Sequence, residues 1–315
     1  MRILANDGID PIGKKLLEEA GIEVDTVNIP QAELISKLNA YDGITVRSAT
    51  KVRKDLIDAC PNLKIIGRGG VGMDNIDVEY AKSKGIAVEN TPASSSQSVA
   101  ELVFTHLFNG VRFVYDANRT MPVDGNTKFN DLKKNYAKGI ELKGKTIGII
   151  GFGRIGKETA KIALGLGMDV LAFDLYDIPK TLKLALSGGV TVDVPVKKAT
   201  MDELLAQSDF ISLHIPFTEK PVLGVEEFKK VKAGVGVVNC SRGGTIDEDA
   251  LIAALNSGKV GFAGLDVFDN EPNPRTDLLQ HAKVSLTPHI GASTNEAQER
   301  IGVELANLII DHLNN

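Results

Sequence analysis

Short apolar runs alternate with helical patterns from the first residues of this chain, and no other feature constrains its fold as strongly. The first series contains the runs "RILAND", "EVDTVN", "GITVRS", "LKIIGRG" and "IAVENT", with a helical segment between each pair. Strands joined by such crossovers pair in parallel, and the crossovers are right-handed. The sequence therefore predicts an open parallel α/β sheet by about residue 91.

A second series of strand-like runs follows a long interruption. "SSSQSVAELVFTHLFNGVRFVYDANR" has the spacing of one long helix, whereas "TMPVDGNTKFNDLKKNYAKG" is polar and is predicted to be irregular. Strands are then predicted at "KTIGIIG", "DVLAFD", "DFISLHI", "GVGVVNC", "FAGLDV" and "KVSLTPH". The final segment places Ile301, Leu305, Leu308 and Ile309 on one helical face. Two doubly wound α/β lobes are therefore expected.

The glycine-rich turn after "KTIGII" indicates a dinucleotide site. Gly151, Gly153 and Gly156 form the pattern G-x-G-x-x-G at the start of a predicted helix, and Asp174 ends the next strand, 23 residues after Gly151. The glycines allow backbone N–H groups to approach a pyrophosphate, and the acid binds ribose hydroxyls. We expect NAD rather than NADP, because Asp174 would repel a 2′-phosphate and residues 175–177 supply no cation.

A second match to the same pattern, residues 67–72, also follows a strand but has a different interpretation. Asp74 and Asp77 lie where its helix would have to receive a pyrophosphate, and like charges repel. We expect a nest of backbone N–H groups that binds a smaller anion, such as a substrate carboxylate. A glycine-rich turn without a ligand is the alternative.

Candidate catalytic side chains come from the strand ends of the second series. Arg242, Glu271 and His289 each lie at or near such an end, the edge at which open α/β sheets bind ligands. An imidazole with an acid to orient it is suited to acid–base catalysis. Arg242 needs an anionic partner, which is either a substrate or Glu271. His214 is the rival base, and we interpret it as part of the nicotinamide-side wall; His106 is predicted to be structural.

Composition excludes several classes of protein. The net charge of −5, without a Lys/Arg-rich stripe, argues against a nucleic-acid partner. No run of about 18 apolar residues occurs and "MRILANDGID" lacks a signal-peptide core, so no membrane partner is expected. Cys60 and Cys240 lie far apart and outside any C-x-x-C pair. We expect reduced, buried thiols, a cytoplasmic location and no metal site.

Four motifs in order resemble the D-isomer-specific 2-hydroxyacid dehydrogenases over nearly the whole chain. They are "GFGRIG" with its distal Asp174, "NCSRGG", "LDVFDNEP" and "TPHIGAS". "VRSATKV", "GRGGVGMDNID" and "VENTP" are most similar to members that oxidise D-3-phosphoglycerate. The resemblance implies a Rossmann NAD-binding domain, residues 96–293, inserted into a flavodoxin-like substrate-binding domain, residues 1–95 plus 294–315.

The resemblance also implies roles for individual residues. The family's catalytic Arg, Glu and His fall on Arg242, Glu271 and His289, and its nicotinamide-amide partner falls on Asp266. The expected NAD contacts are Gly151, Gly153, Arg154, Ile155, Gly156, Asp174, His214, Pro216, Thr218, Cys240, Ser241, Asp266 and Gly291. The expected substrate contacts are Arg47, Arg68, Gly69, Gly70, Val71, Gly72 and Asn90.

Two departures from the family pattern affect what is expected. Ser95 stands where relatives often have Asn, which leaves one polar substrate-side contact open. The chain ends at Asn315 without the C-terminal regulatory domain of longer members, so feedback by serine through such a domain is not expected.

The expected reaction is NAD-dependent oxidation of D-3-phosphoglycerate to 3-phosphohydroxypyruvate, the first step towards serine. Arg47 is predicted to bind the phosphate, with Ser48 or Thr50 as hydroxyl donors. A hydroxypyruvate, glyoxylate or 2-oxoglutarate reductase is the alternative within the family, and an NAD(H)-sensing, corepressor-like protein is the alternative from another class. The polar arm at 116–142 is expected to wrap a second subunit of a homodimer.

Overall fold

The computed structural model describes residues 1–314, and Asn315 lies outside the described residues. Contacts within the chain divide it into two compact units. Unit 1 is Met1–Ser98 with Ala292–Asn315, and unit 2 is Val99–Gly291. The domain ranges predicted from the sequence, 1–95 with 294–315 and 96–293, differ from these units by two or three residues at the boundaries.

Unit 1 contains a parallel sheet with the order β2-β1-β3-β4-β5. Its strands are β1 (Arg2–Ala5), β2 (Glu23–Asp25), β3 (Gly43–Val46), β4 (Ile65–Arg68) and β5 (Ala87–Asn90). This is the flavodoxin-like order. β2 is added on one side of β1, and β3, β4 and β5 are added on the other, so the direction of strand addition reverses between β1 and β3. Ligands bind at that switch point. The parallel sheet predicted from the sequence is confirmed.

Helices connect these strands, as the alternation predicts. They are α1 (Pro11–Glu19), α2 (Gln31–Lys37), α3 (Lys54–Ala59) and α4 (Val78–Ser83). At the start of α1, the Asp10 side chain accepts a hydrogen bond from the Ile12 amide (2.9 Å), and Pro11 occupies the first helical position. After α1, Gly21 has a φ of 82°, which only glycine adopts readily.

The segment between the two sheets differs from its prediction. It forms α5 (Ser96–Arg112), α6 (Val114–Asp124) and α7 (Phe129–Asn135), so the expected single helix is broken and the expected irregular stretch is partly helical. Phe113 causes the break, with a left-handed φ of 55°. Its ring packs against Tyr136 at 6.0 Å, and the Tyr136 hydroxyl donates to Asp116 of α6 (2.7 Å). These contacts stabilise a break at a point where the sequence pattern alone predicts a continuous helix.

Unit 2 contains a parallel sheet with the order β10-β7-β6-β11-β12-β13-β14, beside a separate hairpin, β8–β9. The strands are β6 (Thr146–Ile150), β7 (Asp169–Phe173), β8 (Thr181–Ala185), β9 (Thr191–Pro195), β10 (Lys197–Lys198), β11 (Phe210–Leu213), β12 (Val235–Asn239), β13 (Val260–Leu265) and β14 (Val284–Leu286). The order follows the 3-2-1-4-5-6 Rossmann pattern with one further strand. The β8–β9 hairpin and β10 were not predicted.

The remaining helices surround the second sheet, except the last, which returns to unit 1. They are α8 (Arg154–Gly165), α9 (Met201–Gln207), α10 (Val225–Lys230), α11 (Glu248–Ser257), α12 (Thr276–Leu279) and α13 (Asn295–Asn314). In unit 1, α13 contributes Leu305 and Ile309 to the same core as Ile3 and Ile65. None of the helices in residues 1–314 combines the length and apolar character of a membrane span.

Candidate active site

The turn between β6 and α8 has the form that a dinucleotide requires. Gly151 has a φ of 91°, and a Cβ there would collide with the carbonyl oxygen of His214. A Cβ at Gly156 would collide with the carbonyl oxygen of Gly151. Around Gly153, by contrast, no atom lies within 4 Å of such a Cβ. The first and third glycines are therefore required by packing, whereas the second leaves open space beside the helix N-terminus.

The N-terminus of α8 is suited to an anion. Its N-cap residue, Gly153, supplies no side chain, and its first turn, which includes Arg154 and Ile155, contains no acidic residue. The first N–H groups of the helix therefore keep their partial positive charge for a ligand. Asp174 follows β7, and its Oδ2 accepts a hydrogen bond from the Phe152 amide (2.6 Å). Each carboxylate oxygen retains capacity for a ribose hydroxyl.

His214, which follows β11, has an imidazole that is not available as a base. Its Nε2 lies 2.9 Å from the Ser212 hydroxyl and 3.1 Å from that of Thr159 on α8. Burial lowers the pKa of His214 to about 3, so the ring is neutral. Nearby, Pro216 is exposed and the Thr218 hydroxyl is buried with no hydrogen-bond partner in the described residues. An unpartnered buried hydroxyl beside this turn fits an NAD contact.

The turn after β12 is shaped by Asn239, which the sequence analysis did not single out. Its Oδ1 accepts from the amide (3.0 Å) and hydroxyl (2.7 Å) of Ser241, and its Nδ2 donates to the carbonyl of Arg242 (2.9 Å). Cys240 is buried, and burial raises the pKa of its thiol well above the ordinary value, with Asp266 adding to the effect. Asn239 thus fixes the backbone that presents Arg242.

His289 and Glu271 form a pair at the ends of β14 and β13. The His289 Nδ1 lies 2.8 Å from Glu271 Oε2, and Glu271 Oε1 accepts from the Phe268 amide (2.9 Å). The two side chains are 39% and 35% exposed, and His289 Nε2 has no hydrogen-bond partner among residues 1–314. The pair therefore orients the imidazole and leaves one nitrogen for a ligand.

The charges around Glu271 keep it ionised. Burial alone would raise the pKa of Glu271, but hydrogen bonds from His289 and the Phe268 amide oppose it, as do the nearby charges of His289 and Arg242. Together they hold the pKa of Glu271 below its ordinary value. Arg242 is half-buried, and its Nη1 donates to the carbonyl of Ser241 (2.6 Å). The structure thus brings together Arg242, Glu271 and His289.

Asp266 holds the loop that carries His289. Its Oδ1 accepts from the Thr287 hydroxyl (2.6 Å) and the Ile290 amide (2.8 Å), and its Oδ2 accepts from the Gly291 amide (2.8 Å). Its backbone carbonyl accepts from the His289 amide (2.8 Å). Burial raises the pKa of Asp266 despite these hydrogen bonds. Asp266 is thus buried in the framework of the loop that carries His289, and its expected contact with the nicotinamide amide stays a prediction.

In unit 1, a cavity of about 250 Å³ opens beside the carboxyl ends of β1 and β3, the switch point of the sheet. Its lining includes Asp7, Thr45, Arg47, Gly69, Gln298 and Ile301. Asp7 accepts hydrogen bonds from the amides of Arg47 (2.7 Å) and Thr50 (3.1 Å). The expectation that Thr50 offers a hydroxyl to phosphate is wrong, because that hydroxyl donates to Asp7 (2.6 Å). Ser48 is exposed.

The glycine loop at residues 69–72 is only partly the nest that was expected. The amides of Gly69 and Gly70 already donate to the carbonyls of Val46 and Arg68 (both 2.9 Å). The amides of Val71 and Gly72 have no partner in the part of the chain that the structure describes. Asn90 donates to the carbonyl of Val71 (2.6 Å), and Arg68 Nη1 donates to that of Gly69 (3.1 Å). No helix opens from this loop, which excludes a second pyrophosphate site of this type.

The comparison with protein families agrees with this geometry. The model of the D-isomer specific 2-hydroxyacid dehydrogenase, NAD binding domain, matches residues 104–291. The chain belongs to this dehydrogenase family. Its cofactor is therefore NAD, which the glycine turn, the open N-terminus of α8 and Asp174 are suited to bind. Among residues 1–314, no group of His, Cys, Asp and Glu side chains is arranged to hold a metal ion.

Individual relatives are named for different activities. The chain is 45% identical to a hydroxypyruvate reductase of Thermotoga maritima, across 99% of this chain and 98% of the relative. It is 42% identical to a D-3-phosphoglycerate dehydrogenase of Methanocaldococcus jannaschii, but it spans only 57% of that protein. The NAD-bound 3-phosphoglycerate dehydrogenase of Entamoeba histolytica superposes with a TM-score of 0.80 at 29% identity, across 100% of this chain and 96% of that one. The family is common to all three; the substrate is not.

Proposed function

We propose that this NAD-dependent 2-hydroxyacid dehydrogenase oxidises D-3-phosphoglycerate to 3-phosphohydroxypyruvate. The observation that carries the proposal is the environment of the Arg47 guanidinium. Its half-buried guanidinium lines the switch-point cavity and has no hydrogen bond or ion pair within residues 1–314. A cation at a ligand-binding edge is best explained by an anionic ligand, and a phosphate offers several oxygens to a guanidinium.

The residues of unit 2 supply the chemistry at C2 of the substrate. His289 accepts the hydroxyl proton at Nε2, while its Nδ1–H remains bonded to the Glu271 carboxylate, which stabilises the imidazolium. Arg242 binds the substrate carboxylate. NAD, when bound, supplies the nicotinamide that accepts the hydride from C2 as the C2–O bond becomes a carbonyl. In the reverse direction His289 returns the proton.

Hydroxypyruvate reduction is the second candidate activity. The observation that favours it is the 45% identity to a hydroxypyruvate reductase whose length this chain spans almost completely. Hydroxypyruvate and 3-phosphohydroxypyruvate differ only in the phosphate, so the chemistry proposed at C2 is the same for both. The contribution of Arg47 to turnover of each substrate therefore distinguishes the two candidate activities.

Steady-state kinetics with NADH and each 2-oxo acid test the assignment. We expect kcat/KM to be higher for 3-phosphohydroxypyruvate, and Arg47→Ala to lower it about ten- to hundredfold, the value of a charge-assisted contact. Hydroxypyruvate reduction should hardly change. Lys51→Ala is the matched control, since it removes an exposed positive charge from the same loop outside the cavity. Equal losses on both substrates would refute the phosphate role of Arg47. NADH binding without turnover of any 2-oxo acid would favour the dinucleotide-sensing alternative.

We further propose a homodimer formed through the segment at 116–142. Large apolar side chains on this segment are exposed, namely Met121, Val123, Phe129 and Ile140. Val123 is 79% exposed and Phe129 57%, and burying apolar side chains of this size in a second subunit would favour association. We place the enzyme in the cytoplasm, where buried thiols such as Cys60 and Cys240 stay reduced. The proposed product is the 2-oxo acid from which serine is made.

A further inference from the structure

A buried histidine outside the catalytic pair contacts the loop that carries His289. His106 lies on α5 and is fully buried. Its Nδ1 lies 2.9 Å from the Ser285 hydroxyl on β14, and its Nε2 lies 3.0 Å from the Thr287 hydroxyl just after that strand. A Cβ at Gly264 of β13 would collide with the His106 side chain, so this glycine allows the helix to approach the sheet.

The hydrogen bonds around His106 have only one consistent direction. The Thr287 hydroxyl has one proton, and it donates that proton to Asp266 Oδ1 (2.6 Å), which as a carboxylate can only accept. Thr287 must therefore accept from His106, which requires the proton on Nε2. His106 Nδ1 then accepts from the Ser285 hydroxyl, which itself accepts from Asn109 Nδ2 (3.3 Å). Burial lowers the pKa of His106 to about 4, so the ring is neutral.

The end of this chain of hydrogen bonds is the backbone of His289. Asp266 accepts from the amides of Ile290 and Gly291, and its carbonyl accepts from the amide of His289. His289 has a φ of 53°, a left-handed conformation that is unfavourable for a residue with a Cβ and needs support from its surroundings. The support consists of these hydrogen bonds to Asp266, which the Thr287 hydroxyl completes.

We propose that His106 is a positioning residue: as the Nε2–H tautomer it fixes the Thr287 hydroxyl on Asp266, which holds the loop at 287–291 and thereby orients His289. The proposal rests on the function proposed above only in taking His289 as the acid–base group. It assigns to α5 a part in preparing the active site, although His106 itself contacts no reacting atom. His106 lies outside the four motifs quoted above, whereas Thr287 is the first residue of "TPHIGAS".

The tautomer can be measured without any turnover. In long-range ¹H–¹⁵N spectra of the histidine-labelled protein, the signals lost in His106→Gln identify His106. We expect a neutral Nε2–H imidazole between about pH 5.5 and 7.5. An Nδ1–H tautomer or an imidazolium in this range would overturn the proposal. This result is independent of which 2-oxo acid the enzyme reduces.

Kinetics of a double-mutant cycle test the effect on His289. With NADH and hydroxypyruvate as the probe, His106→Leu and Thr287→Val should each lower kcat about ten- to hundredfold, since small misplacements of a catalytic group have effects of this size. KM should change by less than about twofold, and the double variant should be no slower than either single variant. His106→Gln keeps an N–H donor at the same reach and should recover most of kcat.

The matched control is His281→Gln, which changes a histidine of unit 2 whose Nε2 contacts only Asn256 in the described residues. It should leave kcat unchanged. Additive losses in the cycle, or a lower melting temperature with normal kcat in His106→Leu, would overturn the proposal and leave His106 a packing residue. A wild-type enzyme inactive on every 2-oxo acid would instead refute the proposed function, while the tautomer measurement would still decide the hydrogen-bond direction.

Discussion

The acid–base pair shows how single residues divide the chemistry between them. Glu271 accepts from both His289 and the Phe268 amide, and its pKa is held below the ordinary value, so it is an anion at neutral pH. The Glu271 carboxylate orients the imidazole of His289 through Nδ1, whereas Nε2 stays open to a ligand. In the proposed reaction His289 therefore transfers the proton, and Glu271 keeps its charge.

Glu271→Gln should therefore shift the pH dependence of the enzyme. Without the carboxylate, no anion stabilises the imidazolium that forms when His289 takes the hydroxyl proton of the substrate. We expect the pH at which kcat/KM for oxidation is half-maximal to move downward in Glu271→Gln. In a separate variant, His289→Ala, we expect kcat to fall by a factor of about 10² to 10⁴, because the acid–base group is removed. Profiles of kcat/KM against pH for both variants are the measurement. An unmoved profile for Glu271→Gln would mean that Glu271 only pairs with Arg242.

The position of Asp174 predicts which cofactor the enzyme prefers, NAD or NADP. Its carboxylate is fixed by the amides of Phe152 (2.6 Å) and Tyr176 (3.0 Å) and would repel a 2′-phosphate. We expect kcat/KM to be higher with NAD than with NADP, and Asp174→Ala to reduce this preference. The ratio of the two values in each variant is the test. Equal use of both cofactors by the wild type would show that Asp174 does not discriminate.

From strand ends and motif order the sequence predicts Arg242, Glu271 and His289 as catalytic residues, and the structure brings these three side chains together. The sequence could not identify Asn239, Asp7 or Thr287, whose importance lies in hydrogen bonds to distant parts of the chain. Asp7 and Thr50 are one example: Thr50 was expected to bind phosphate, but the parallel pairing of β1 with β3 brings its hydroxyl to Asp7 instead. Contacts of this kind carry no local signature.

At the scale of elements, the glycines of the β6–α8 turn have two different roles: Gly153 leaves space for the cofactor, and Gly156 allows close packing. Gly153→Ala adds a methyl group where no atom lies within 4 Å, so it should weaken NADH binding and leave the apo melting temperature almost unchanged. Gly156→Ala places a methyl group against the carbonyl of Gly151 and should lower both. Fluorescence titration with NADH and thermal denaturation measure the two effects. A stable Gly153→Ala protein with normal affinity would place the pyrophosphate elsewhere.

The elements were predicted best where apolar periodicity was strong. Except for the two-residue strand β10, the parallel strands of both sheets were predicted from their apolar runs, and α13 was predicted from its apolar face. The β8–β9 hairpin was missed, although Leu182 and Leu184 alternate with polar residues before the Gly188-Gly189 turn, a hairpin signal that the sequence does contain. The break between α5 and α6 had no such signal, because it depends on packing between Phe113 and Tyr136.

At the scale of the whole molecule, the prediction concerns assembly. Light scattering across micromolar concentrations should give twice the 33.7 kDa mass of the chain. The double change Val123→Asp and Phe129→Asp alters exposed side chains of the 116–142 segment and should give monomers that still fold. Val225→Asp, an equally exposed site on α10, is the control and should remain dimeric. A monomeric wild type would refute the proposed dimer.

Unit 1 is discontinuous, and this affects the order in which the protein can fold on the ribosome. Gly13 of α1 packs directly against the backbone of Gly302 of α13, and α13 covers the face of the sheet that includes Ile3 and Ile65. Translation at about 5–20 residues per second needs on the order of 10–40 s for Val99–Gly291. During that time the part of this face that α13 covers stays exposed in the nascent Met1–Ser98 segment. Unit 2 is therefore synthesised in full before α13 can complete unit 1, and exposed apolar surface of this kind favours aggregation of the nascent chain.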